Sequence, residues 1–149
     1  MNEWYFAYGS NLWIEQMAAR TGPIGQGDDR PRVARLSLHR LVFNMQGEDG
    51  QVFANVERPG EGVFGVLYRC SPAALDRLDA HEWGYERRRV LVTDERGGAL
   101  EAVAYVAKAD RVASGGKPSA EYLERVVRGA RQHCLPEAYV REIEAHSRR

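Results

Sequence analysis

Apolar positions along the chain fall into short runs that predict strands, and turns rich in Gly, Asp and Pro separate these runs. The first run, Trp4-Tyr5-Phe6-Ala7-Tyr8, has no polar break, which is typical of a strand buried on both faces. Arg96-Gly97-Gly98 predicts a hairpin turn between the last two runs. The pattern predicts further strands over residues 33–44, 52–57, 63–68, 88–93 and 102–107.

Four helices are predicted from apolar spacing and capping residues. Ser71-Pro72 combines an N-cap with a proline in the first turn, and Ser119 begins a longer helix. The predicted helices cover residues 12–20, begin at 71–72, and cover 119–133 and 136–146. Because strands and helices do not alternate regularly, we expect an α+β fold rather than a doubly wound parallel sheet. The expected sheet is mixed or antiparallel and curled towards a barrel, with a central helix and a helical C-terminal tail.

Length and charge exclude several classes of protein. The 149 residues predict one domain, spanning residues 1–149. With 21 basic and 21 acidic residues the net charge is zero, which argues against nonspecific electrostatic binding to nucleic acid or to a membrane. Arg125, Arg128 and Arg131 recur at helical spacing, as on a solvated helix face. Two cysteines cannot form a disulfide framework, so we expect a reducing, cytoplasmic location.

Two common kinds of binding site, for a dinucleotide and for a metal ion, are not supported by the sequence. Gly60-Glu61-Gly62-Val63-Phe64-Gly65 matches the dinucleotide motif G-x-G-x-x-G, but it opens a predicted strand where the motif must open a helix. The four histidines are scattered and no pair has metal-ligand spacing. We therefore expect neither a nucleotide cofactor nor a metal.

The first surviving candidate is the segment Tyr5-Phe6-Ala7-Tyr8-Gly9-Ser10-Asn11-Leu12, which runs from the first strand through a turn at Gly9. A buried strand that turns through Gly into a helix aims backbone N–H groups and the positive end of the helix dipole at one spot. Gly9 permits close approach of a ligand because it has no Cβ. Such a site suits a carboxylate or a developing oxyanion. The alternative is a well-capped first helix that binds nothing.

The second candidate is an acidic residue at the end of the central helix. At about 100° per residue, Glu82 continues the apolar stripe of Leu75 and Leu78, and Trp83 adds an apolar wall. A carboxyl group in that position has a raised pKa, as a general base near neutral pH needs. Asp79 lies close to the same stripe and competes for this role. The alternative for Glu82 is a partly buried acid paired with Arg87 or Arg88, or a side chain at a frayed helix end that points into solvent.

Together these segments resemble the γ-glutamylcyclotransferase family, also described as the AIG2-like superfamily. Tyr5-Phe6-Ala7-Tyr8-Gly9-Ser10-Asn11-Leu12 is similar to its opening motif, and Leu78-Asp79-Ala80-His81-Glu82 is similar to its acidic motif. The resemblance extends to Gly62-Val63-Phe64-Gly65-Val66-Leu67-Tyr68, and to two tail segments that begin at Pro118 and Leu135. It covers nearly the whole chain.

The resemblance implies an enzyme that needs no cofactor. The α-amine of a γ-glutamyl dipeptide or γ-glutamylamine attacks its own γ-carbonyl and yields 5-oxoproline and a free amine. Glu82 is the implied general acid and base. The implied substrate-binding residues are Tyr5, Phe6, Ala7, Tyr8, Gly9, Ser10, Asn11, Leu12, Tyr105 and Tyr122.

One segment departs from the family pattern. Family members have Gly after the catalytic Glu and a longer stretch before the next Tyr, whereas here Trp83 follows Glu82 and Tyr85 comes almost at once. The match to Tyr85 is therefore inexact, and the leaving-group side of the pocket is expected to differ. A non-catalytic domain of the same fold that binds a small ligand is the alternative function.

Overall fold

Seven strands and four α-helices occur within residues 1–148, the part of the chain that this computed structural model describes. The strands are β1 (Glu3–Ala7), β2 (Arg32–Leu36), β3 (Arg40–Gln46), β4 (Val52–Glu57), β5 (Val63–Cys70), β6 (Tyr85–Asp94) and β7 (Ala99–Ala107). The helices are α1 (Ile14–Thr21), α2 (Pro72–Asp79), α3 (Ala120–Gln132) and α4 (Glu137–Ala145). The expected α+β class is confirmed. The expected domain boundary at Arg149 lies outside the described residues.

Five strands close into a barrel in the order β1-β5-β2-β6-β7. β1 pairs antiparallel with β5 and parallel with β7, where Tyr5 is opposite Val103. Because β1 has a partner on both edges and packs on the core, Phe6 and Ala7 have no exposed surface. The aromatic run of the sequence therefore forms a strand of the barrel wall, and the mixed, curled sheet is confirmed.

The remaining strands, β3 and β4, form a separate two-stranded sheet beside the barrel. The expectation of one strand over residues 33–44 is wrong, because the chain turns between Leu36 and Arg40. Leu38 adopts a left-handed backbone conformation with φ of 66°, although nothing in its residue type signals a turn. The hairpin is tied to the barrel where the Ala107 N–H donates to Asn55 Oδ1 at 3.0 Å.

The predicted caps of α2 and α3 are confirmed. Ser71 Oγ accepts a hydrogen bond from the Ala74 N–H at 3.1 Å, and Ser119 Oγ accepts one from the Tyr122 N–H at 3.1 Å. The first helix differs from the prediction, because Ser10–Leu12 is a 3-10 turn and α1 starts only at Ile14. Among residues 1–148 no helix is long and apolar enough to cross a membrane.

Helix α3 packs directly on the 3-10 turn at Ser10–Leu12. Gly129 makes this possible, since a Cβ there would lie 2.3 Å from the Trp13 backbone nitrogen. The Tyr68 hydroxyl of β5 donates to the Leu12 carbonyl at 2.9 Å. The turn after β1 is therefore fixed in place by packing against α3 and by the hydrogen bond from Tyr68.

Candidate functional site

A cavity of about 390 Å³ opens between the barrel, the β3–β4 hairpin and α3. Its lining joins segments that are far apart in the chain, from the turn after β1 to the first half of α3. The lining residues are Tyr5, Tyr8, Gly9, Ser10, Asn11, Arg20, Met45, Gly47, Glu48, Asp49, Phe53, Ala54, His81, Glu82, Trp83, Tyr85, Tyr105, Tyr122 and Arg125.

Asn11 connects the two candidate segments that the sequence offers separately. Its side-chain amide Nδ2 donates to the Tyr5 hydroxyl at 2.9 Å and to Glu82 Oε1 at 3.0 Å. Its Oδ1 accepts hydrogen bonds from Gln16 Nε2 and from Arg20 Nη1, both at 3.1 Å. Asn11 is only 4% exposed. All its amide hydrogen-bonding directions are therefore used inside the protein, and the amide orientation is set by its partners.

Glu82 lies in the turn after α2 and not on the helix itself. The expectation that it extends the helical stripe is wrong, because α2 ends at Asp79. The turn is held by a bond from the Glu82 N–H to the Asp79 carbonyl at 3.1 Å, and the Tyr85 N–H donates to the Glu82 carbonyl at 3.1 Å. The side chain nevertheless reaches the cavity, since this turn faces the segment after β1.

The Glu82 carboxyl group has the raised pKa expected from the sequence. Removal from water raises the pKa from its ordinary 4.5 to about 7, because the charged form loses hydration. The positive charge of Arg20 and the hydrogen bond from Asn11 act in the opposite direction, and the charge of Asp79 raises the pKa further. Near neutral pH the group can therefore both accept and release a proton.

The Asp79 carboxylate lies outside the cavity lining and is engaged by other side chains. Arg87 donates to its two carboxylate oxygens from Nε at 2.8 Å and from Nη2 at 2.6 Å, and the Tyr105 hydroxyl also donates to it. The hydrogen bonds from Arg87, followed by that from Tyr105, lower the pKa of Asp79. Its side chain is 46% exposed and forms no part of the cavity lining. The pairing with Arg87 considered for Glu82 thus belongs to Asp79, which thereby orients Tyr105.

Tyrosine hydroxyls around the cavity are oriented by hydrogen bonds to backbone groups. Strand β4 supplies two of these partners: the Ala54 N–H donates to the Tyr122 hydroxyl at 3.2 Å, and the Tyr85 hydroxyl donates to the Ala54 carbonyl at 2.6 Å. The Tyr8 hydroxyl donates to the Tyr105 carbonyl. Burial raises the pKa of Tyr122 to about 12, although hydrogen bonds from backbone N–H groups partly oppose this. These hydroxyls stay protonated at neutral pH.

The segment after β1 presents a 3-10 turn to the cavity in place of the expected helix N-terminus. The first N–H group of α1, at Ile14, already donates to Gln132 Oε1 at 2.9 Å, and the Leu12 N–H donates to the Gly9 carbonyl at 3.1 Å. The expectation that the dipole of α1 points at the site is therefore wrong. At Gly9 the close neighbour is the Tyr122 hydroxyl, 3.1 Å from where a Cβ would lie.

Most of the sequence-predicted site residues meet at this cavity. Tyr5, Tyr8, Gly9, Ser10, Asn11, Glu82, Tyr85, Tyr105 and Tyr122 line it. Phe6, Ala7 and Leu12 do not line it, because they are fully buried in the core. Reasoning from the sequence missed Arg20 and Arg125. The sequence could have indicated Arg20, because Gln16 and Arg20 are four residues apart and so lie on the same face of α1.

Comparison with known proteins places the chain in the AIG2-like family, whose model matches residues 62–143. The γ-glutamylcyclotransferase of Homo sapiens is 29% identical, and the match covers 95% of this chain and 77% of the human protein. The Mus musculus γ-glutamylcyclotransferase is 28% identical with the same coverage. A solved structure titled γ-glutamyl cyclotransferase superposes with a TM-score of 0.85 at 26% identity, covering 97% of this chain and 88% of the other. The chain is γ-glutamylcyclotransferase-like in sequence and in fold.

Proposed function

We propose that this chain, as one domain over residues 1–149, is a γ-glutamylcyclotransferase that works without a cofactor. The observation that carries the proposal is the Glu82 carboxyl group, which lines the cavity, is held by Asn11 at 3.0 Å and has a pKa near 7. The substrate is a γ-glutamyl dipeptide or a γ-glutamylamine. Its α-amine attacks the γ-carbonyl carbon of the same molecule and releases 5-oxoproline and an amine.

Glu82 moves one proton in each half of this reaction. A free α-amino group has a pKa of about 8, so it is mostly protonated at neutral pH and must lose a proton before it attacks. The ammonium proton passes to solvent, and the neutral amine then attacks. As the new carbon–nitrogen bond closes the five-membered ring, the Glu82 carboxylate accepts the further proton that the ring nitrogen must lose. The resulting acid donates a proton to the leaving nitrogen as the original amide bond breaks. The enzyme therefore ends the cycle in its starting protonation state.

Hydroxyl donors at the cavity supply the electrostatic part of the proposed catalysis. The Tyr122 hydroxyl accepts a hydrogen bond from the Ala54 N–H, which leaves its own proton for donation to an oxygen of the substrate. Its pKa of about 12 keeps that proton in place. We assign Tyr122 to the carbonyl oxygen that becomes negative during ring closure.

The shape of the cavity contributes to the rate acceleration by bringing the two reacting groups together. Both reacting groups belong to one small molecule, so holding that molecule curled replaces the encounter of two reactants. Met45, Phe53 and Trp83 form apolar walls on the side of the β3–β4 hairpin, and Arg125 lies on α3. We place the leaving group against these walls, where the short segment between Glu82 and Tyr85 has put Trp83.

A panel of γ-glutamyl dipeptides and γ-glutamylamines tests the proposal, with 5-oxoproline measured by chromatography. We expect turnover of at least one compound, and loss of turnover by more than about a hundredfold in Glu82→Gln, because general acid–base catalysis contributes on that order. Glu101→Gln, an exposed β7 carboxylate outside the cavity, is the matched control and should retain turnover. Binding without 5-oxoproline from any compound would instead favour the non-catalytic alternative.

A further inference from the structure

Arg20 is a positive charge on the cavity wall that makes no direct ion pair within the described residues. Among residues 1–148 no carboxylate forms an ion pair with it, whereas ten other arginine–carboxylate ion pairs do occur. Its Nη1 instead donates to Asn11 Oδ1 at 3.1 Å. The side chain is partly buried on α1 and lines the same cavity as Glu82. Leaving a partly buried guanidinium without a counterion has a cost, which calls for a reason in the site.

The bond from Arg20 decides which way the Asn11 amide points. A guanidinium can only donate hydrogen bonds, so the Asn11 atom facing it must be the oxygen. Gln16 adds a second donor to the same oxygen and is itself oriented by Ser10 Oγ at 2.7 Å. The Asn11 NH₂ group must then face Tyr5 and Glu82. A flipped amide would place its NH₂ group against the Arg20 donor and its oxygen against the Glu82 carboxylate.

We propose that Arg20 is a positioning residue for proton transfer at Glu82. Through Asn11 it keeps the amide donor directed at the Glu82 carboxylate, and its charge stabilises the ionised form that accepts the proton. Arg20 reaches the reacting atoms only through these neighbours. This inference rests on the proposed function.

The other groups that face Glu82 do not supply this positive charge. Buried, protonated tyrosines face it from β1, the turn after β1, β6, β7 and α3: Tyr5, Tyr8, Tyr85, Tyr105 and Tyr122. Asp79 contributes a negative charge that Arg87 already neutralises. Of the further charged or titratable lining groups, His81 precedes Glu82 in the same turn, and Glu48 and Asp49 lie on the β3–β4 hairpin. Arg125 lines the cavity from α3 but is paired with Glu121.

The test compares Arg20→Gln and Arg20→Lys with wild type. Arg128→Gln serves as the matched control, because Arg128 is an α3 arginine outside the cavity lining. Two quantities are measured against pH: kcat/KM for the best substrate of the panel, and the ¹³C chemical shift of the Glu82 side-chain carboxyl. In Arg20→Gln we expect the acid limb and the Glu82 titration to move up by about one pH unit, so that kcat/KM at pH 6 falls about tenfold further than at pH 8.5. Arg20→Lys restores the charge and moves both curves back towards wild type. Arg128→Gln leaves both curves where they are.

Identical Glu82 titration curves in wild type and Arg20→Gln would overturn the inference, and so would an equal shift in Arg128→Gln. An equal loss of kcat/KM at all pH values, without a shift of either curve, would show a merely structural contribution. If wild type makes no 5-oxoproline, the proposed function fails, and the carbon titration still decides whether Arg20 acts on Glu82. Thermal unfolding of each variant verifies that the compared proteins are folded.

Discussion

Glu82 should make the folded protein less stable as the pH rises. In the folded chain its pKa is about 7, whereas the ordinary value of 4.5 applies when the chain is unfolded. Between these two values the folded state holds a proton that the unfolded state has lost. The folded state is therefore favoured fully below pH 4.5, and this contribution is lost progressively as the pH rises through 7. Each unit of pKa difference is worth about 1.4 kcal/mol, so the loss amounts to about 3 kcal/mol.

Glu82→Gln removes the titrating group and retains a side-chain oxygen that can accept the Asn11 hydrogen bond. The variant should therefore be more stable than wild type by about 3 kcal/mol at pH 8, and by less than about 1 kcal/mol at pH 5. It should at the same time lose turnover. A variant that gains stability while losing activity indicates that burial of this carboxyl group serves the chemistry and opposes folding.

Urea unfolding of both proteins at pH 5, 6, 7 and 8, followed by tryptophan fluorescence, measures the difference. Glu101→Gln, which removes an exposed carboxylate, should show no comparable dependence on pH. A stability difference between Glu82→Gln and wild type that is equal at pH 5 and pH 8 would refute the reasoning. A variant less stable than wild type at pH 8 would refute it as well, because the raised pKa requires the opposite sign.

Three other substitutions test a packing contact, an ion pair and a wall residue around the cavity. Gly129→Ala should lower the free energy of unfolding, measured in urea, by about 2 kcal/mol. The added Cβ would lie 2.3 Å from the Trp13 backbone nitrogen and force α3 away. An unchanged stability would contradict that contact. Asp79→Asn should lower the free energy of unfolding by at most about 1 kcal/mol at neutral pH, because the ion pair with Arg87 is half exposed. The difference in stability from wild type should become smaller as the pH falls, because acid protonates Asp79 in wild type. Its 5-oxoproline production should persist, in contrast to Glu82→Gln. Trp83→Ala should change KM and the ranking of leaving amines more than kcat in steady-state assays, because Trp83 is 45% exposed and lines the cavity on its hairpin side.

Local features of this fold could be predicted from neighbouring residues alone. The caps at Ser71 and Ser119 and the strand β4 agree with the sequence pattern, since each depends on residues within a few positions. The break between β2 and β3 could not be predicted. Leu38 takes a left-handed conformation in a stretch of otherwise strand-like residues, and the hydrogen bond from the Gly62 N–H to the His39 carbonyl at 2.8 Å comes from a distant part of the chain.

By itself, the sequence determined the α+β class, the resemblance to one family, and the two segments that carry Asn11 and Glu82. Only the tertiary structure decided how these segments act on each other. It ended α2 before Glu82, assigned Arg87 to Asp79, and connected Glu82 through Asn11 to Arg20. The physical reason is that charge, pKa and amide orientation depend on atoms within a few ångströms, and in a closed barrel those atoms come from positions up to 71 residues apart.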